Sequence, residues 1–151
     1  MMRSDHVPDS VIAHLDRAIA QVMATTEDPV QRVIAFVRIF EEGADERMAA
    51  QSGCLYISVL TERQLAVTGT WPQINNAILA WRAGLSRLIT DALATRRPPS
   101  PIDADALADH VFVTFEGAFI LSRSLNDPQH MRAQLTVHRH LLEALFAEFL
   151  G

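Results

Sequence analysis

Apolar residues recur at intervals of three and four along almost the whole chain, and no run alternates with period two for long enough to make a strand. That spacing restricts the fold to packed amphipathic helices, an all-α bundle of about six. Val11, Ile12, Leu15, Ala18, Ile19, Val22 and Met23 form the first stripe, behind Asp9 and Ser10, either of which can cap the opening turn. Residues 1–8 are therefore expected to be a flexible stub and 9–151 one domain. Asp28, Pro29 and Gln31 set a capping side chain, an N-terminal proline and a capping-box partner in order ahead of Val30, Val33, Ile34, Val37 and Phe40. Gly43 is expected to stop that helix in the left-handed conformation. A short charged helix over Asp45 to Gln51 follows, then a buried one over the apolar run that begins at Cys54.

Thr70, Pro72 and Gln73 repeat the cap grammar before Ile74, Ile78, Trp81, Leu85, Leu88 and Ala92, a long helix ending near Arg96. The proline-rich RRPPSPID makes a corner and delivers Asp103 as the next cap. Between Asp103 and Leu125 two apolar faces coexist, one of Leu107, Val111, Thr114, Ala118, Leu121 and Leu125, the other of Phe112, Phe115 and Phe119. A helix apolar on both sides packs on both sides. After Asp127 and Pro128, the residues Met131, Leu135, His138, Leu142, Leu145 and Phe149 follow a heptad-like seam.

Composition narrows the function. The 151 residues carry 18 acidic and 13 basic side chains, every basic one arginine, for a formal charge of -5. Duplex DNA binding needs a clustered basic face to release counterions, and this chain has no such face. One cysteine excludes an internal disulfide, the opening decapeptide has no signal-peptide core, and the longest uncharged stretch is too polar for a membrane span, so a cytoplasmic location is expected. No Gly-rich phosphate loop, no Glu-x-x-His pair and no nucleophile beside a base occur, so no catalytic residue, metal or cofactor is expected, and the chain reads as a non-enzyme.

Glu116 stands out, because it lies in FVTFEGAFIL among Phe112, Phe115 and Phe119. It is either a polar anchor in an apolar cavity or the partner of an arginine such as Arg82 or Arg87. Gly117 and Ala118 flatten the helix beside it, which suits either the close approach of a second helix or a neighbouring phenylalanine.

The order of these pieces carries a resemblance. A capped helix opening with DPVQRV, then GCLYISVLTE, a long helix carrying WRAGLSRLI, the proline corner, FVTFEGAFILSRSL and a closing heptad-like helix together resemble the C-terminal regulatory half of TetR-type transcriptional regulators, over Asp9 to Gly151. Gly53-Cys54-Leu55 and Phe115-Glu116-Gly117-Ala118 are the local motifs. The resemblance implies a cavity for a small, often apolar effector and a homodimer in which the last two helices of each copy form a four-helix bundle. The expected pocket residues are Phe36, Phe40, Ile57, Trp81, Leu85, Phe112, Phe115 and Glu116. The expected interface residues are Ala118, Leu121, Leu125, Met131, Leu135, His138, Leu142 and Leu145. The family's helix-turn-helix module has no counterpart in these residues, so DNA would be a partner only if that module were supplied. The alternative is a ligand-free helical dimerisation module that pairs with intact homologues.

Overall fold

The computed structural model describes residues 6–50 and 71–147, and all six elements among them are helices: α1 His6–Thr25, α2 Pro29–Glu42, α3 Ala44–Ala50, α4 Trp71–Thr95, α5 Ala104–Ser124 and α6 Gln129–Leu145. The expected helix over the apolar run after Cys54 lies outside the described residues. The expected fold class is the observed one.

Local chemistry sets most boundaries. The Asp28 carboxylate accepts the Val30 N–H at 3.0 Å, with Pro29 in the first turn of α2 where its missing donor costs nothing. Asp103 repeats the device on α5, accepting from the backbone of Asp105 at 2.8 Å and Ala106 at 3.1 Å. Asp127 takes the Gln129 N–H at 3.1 Å ahead of α6, and the tight reversal before it places Asn126 at φ 52°, a left-handed position that asparagine tolerates.

Three expected boundaries are corrected. Helix α1 begins at His6, so Asp9 and Ser10 lie inside it rather than capping it, and Pro8 occupies its first turn. Gly43 does not turn left-handed: at φ -88° its N–H closes on the Ile39 carbonyl at 3.1 Å and the chain runs straight into α3. Helix α6 stops at Leu145, and Phe146 turns back into the core instead of extending the seam. The Phe146 carbonyl accepts from Arg96 at 3.2 Å, which ties the ends of α4 and α6 together.

Helix α2 is the innermost element. It packs on α1, α4 and α6, and Phe40 reaches α5. Phe36, Val33, Leu85, Ile89, Met131 and Leu135 are buried at the centre. Helix α1 crosses α4 closely at Gly84, where an added Cβ would lie 2.6 Å from the Ile19 Cδ1. Arginine forks stitch the outside: Arg82 of α4 grips both oxygens of Asp109 on α5 at 2.8 and 3.0 Å, and Arg132 of α6 reaches Asp45 of α3 at 3.0 Å. Arg139 of α6 reaches Glu41 of α2 at 3.0 Å and Glu143 at 2.7 Å. Burial alone would raise the Glu41 carboxyl, but the hydrogen bonds from Arg139 and Thr136 and the nearby arginine charges hold it below its ordinary value.

Phe36 makes the sharpest test of this packing. Phe36→Ala should lower unfolding free energy by about 3 to 5 kcal/mol, whereas Val113→Ala on the outer surface should change it by about 0.5 kcal/mol or less, both read from urea melts. Equal losses at the two positions would contradict the placement of the core.

Candidate functional site

Helices α2, α4 and α5 meet in a cluster of rings. Phe36 and Phe40 lie 5.1 Å apart, and the Trp81 indole stands edge-on to both, at 5.5 and 5.4 Å. Phe112 closes on Trp81 at 5.7 Å and Phe115 on Phe40 at 5.4 Å. Each edge-to-face pair adds about 0.5 to 1.5 kcal/mol beyond its burial, so the cluster holds the three helices in register. Leu85, one turn beyond Trp81, is fully buried. Seven of the eight expected pocket residues therefore lie on the three helices that build this cluster; Ile57 lies outside the described residues. The sequence reading missed His14, whose ring meets Phe40 edge-on at 5.3 Å and joins α1 to the cluster. Its spacing of four from Ala18 was the available signal.

Two polar groups here have no partner among the described residues. Trp81 Nε1 is buried with no acceptor among the described residues, although a buried indole N–H ordinarily finds one. Glu116, one helical turn from Phe112, is pushed up to about 7 by loss of solvent. Arg82 does not relieve it, because its guanidinium is committed to Asp109. An unpaired carboxyl that half-ionises near neutrality can accept or donate a hydrogen bond, and beside apolar rings it can orient a bound molecule.

The expected interface residues divide. Ala118, Met131, Leu135, His138 and Leu142 are buried within the protomer, so in a single chain the heptad-like seam of α6 is already covered. Leu121 and Leu145 are half-buried, and Leu125 is exposed. The correction has a plain cause: a sequence stripe shows that a helix face is covered, not whether its own chain or another covers it. The structure instead exposes Val113 on α5, 60 % accessible, with Val137 and Leu141 on α6 at 51 % and 60 %. At 100° per residue in antiparallel helices, both stripes fall on the same side of the contact between Thr114 and His138. Gly117 lies in this face with nothing within 4 Å of an added Cβ, so it accommodates no phenylalanine among the described residues and leaves a flat spot for an approaching helix.

Six helices around one aromatic cluster, with an apolar face on the closing helix pair, define an all-α helical-bundle domain. The family model described as Tetracyclin repressor-like, C-terminal domain matches residues 29–137, well over half of the chain, and the chain belongs to that family. Its domains are regulatory, associated with ligand binding and dimerisation. No curated protein and no solved structure matches the chain. Among the described residues, no helix is long and apolar enough to cross a membrane.

Glu116 gives a signed prediction. Because its folded value is raised, the folded state holds the proton more tightly, and stability is lost as pH rises from about 4.5 to about 7. Glu116→Gln should therefore be more stable than the parent at pH 8, by up to about 3 kcal/mol, and equal to it at pH 4. Denaturant melts of both proteins at the two pH values check this, and a variant less stable than its parent at pH 8 would show a carboxylate with a cationic partner.

Proposed function

We propose that the chain is the effector-sensing and dimerisation domain of a TetR-type regulator, with no DNA binding of its own. The observation that carries this reading is the uncommitted Glu116 beside the ring cluster shared by α2, α4 and α5, in a domain of that family. A small, mainly apolar molecule would enter between Trp81 and Phe112, exchange ring–ring for ring–ligand contacts, and hydrogen-bond to Glu116.

The route to α1 is physical. The His14 contact with Phe40 and the Ile19 contact at Gly84 couple α1 to the helices that carry the cluster, so displacing Phe40 or Trp81 displaces α1. In a regulator that includes a helix-turn-helix module, α1 is the element nearest that module. Coupling of this kind requires the effector to bind the two arrangements with different affinity. The second copy docks on the face of Val113, Gly117, Val137 and Leu141, forming the four-helix bundle of two helix pairs. The rings' mutual contacts favour a second reading, a ligand-free module that only dimerises and pairs with intact homologues.

A thermal-shift panel of apolar small molecules separates the two. A ligand at 100 times its Kd adds about 2.7 kcal/mol, or roughly 5 to 10 °C for a chain of this size, and Phe112→Ala should abolish the response. No response across the panel favours the ligand-free module. Sedimentation tests the face: the parent should be a dimer at micromolar concentration and Leu141→Arg a folded monomer. A Leu141→Arg protein that stays dimeric would place the interface elsewhere.

A further inference from the structure

Between α5 and α6 lies a buried histidine whose bonding is settled by its neighbours. His138 is 3 % exposed and shares the α6 seam with Met131, Leu135 and Leu142. Thr114 uses its single hydroxyl proton on the His110 carbonyl at 2.8 Å, so toward His138 Nδ1, 3.4 Å away, its oxygen can only accept. The ring is thus held as the Nδ1–H tautomer, leaving Nε2 a bare lone pair, buried and without a donor among the described residues. Over it, at 5.2 Å and tilted by 30°, lies the ring of His110, which is itself exposed on the outer stripe that contains Val113.

We propose that His138, with His110 stacked on it, is a proton-operated latch between α5 and α6: the helices pack while the His138 ring is neutral, and acid opens them and disperses the face offered to a second copy. A proton can enter only at Nε2. It would create a cation in an apolar seam, with an N–H that meets no acceptor and a second imidazole alongside.

Among the described residues, no fixed charge stands ready to neutralise that cation. On α5, Asp109 is gripped by Arg82 and turned toward α4. On α2, Glu41 is taken by Arg139, and Arg38 adds only positive charge; on α3, Asp45 is taken by Arg132. On α6 itself, Glu143 is held by Arg139. The result is a ring pushed down to about 4, first by burial and then by the charge of His110. Since the folded value lies below the ordinary one of about 6.5, the neutral ring's stabilisation is complete above that pH and is lost as pH falls toward 4.

The last step, dispersal of the dimer, rests on the face proposed above, and the experiment keeps the two apart. Proton NMR of the full chain should show the His138 ring titrating near 4, and His110→Gln should move that midpoint upward by removing the like charge. In denaturant melts, the folding constant of the parent should fall by up to about tenfold per pH unit between pH 6 and pH 4 relative to His138→Leu, whose side chain matches the seam. Sedimentation should show a dimer at pH 7.5 that dissociates as pH falls through 4 in the parent but not in His138→Leu. A His138 midpoint near 6.5, or equal pH slopes in the parent and His138→Leu, overturns the latch. A parent that is already monomeric at pH 7.5 overturns the proposed face instead, and the latch is then decided by the midpoint and the slope. If His138→Leu does not fold, the effect of His110→Gln on the midpoint decides it.

Discussion

Seven of the fourteen residues of α2 are buried, and they are covered from several directions at once: by α1, by α4, by α6 and, through Phe40, by α5. Helices α1 and α6 make little direct contact with each other. Removing the apolar surface of Val33, Phe36 and Val37 from water is therefore what brings the remaining helices together, and their mutual contacts follow from where α2 places them. The same centrality puts Phe36 and Phe40 at the root of the ring cluster. The effector sensing proposed above would consequently draw on the same side chains as core packing, and a molecule that disturbs one would have to be accommodated by the other.

What the sequence disclosed was local or periodic. The caps at Asp28 and Asp103 act within three residues, so their spacing alone identifies them, and the apolar stripes of α2, α4 and α6 follow the helix period closely enough to mark the buried faces. Nonlocal geometry was harder to read. Gly43 could stop a helix left-handed or pass on into another, and only the docking of α3 decides between these. Phe146 ends the seam because Arg96, fifty residues earlier, holds its carbonyl. The largest displacement concerns the α6 stripe, which reads as an intersubunit seam yet is covered from within, while Val137 and Leu141, off the stripe, face outward. Of the candidate site, the ring residues and Glu116 were legible because aromatic clustering and an isolated carboxylate leave a compositional trace. His14 was not, because one histidine on a stripe looks like any other helix residue.

The uncommitted polar atoms deserve comparison with the arginine forks around them. Arg82, Arg132 and Arg139 each bind a carboxylate on a neighbouring helix, and lysine, a point charge on a flexible stem, would not reproduce their two-oxygen grips. These directed contacts lie on the outside, while Trp81 Nε1, Ser122 Oγ and His138 Nε2 in the interior have none among the described residues.

The pairing of Arg139 with Glu41 spans 98 positions of sequence. During synthesis, the buried face of α2 emerges long before the helix that finally covers it. At the usual pace of about 5 to 20 residues per second, that surface waits roughly 5 to 20 s for α6, while α4 and α5 emerge in between. The nascent chain therefore passes through a stage in which part of the face of α2 that ends up buried is open to chaperones and to neighbouring chains alike.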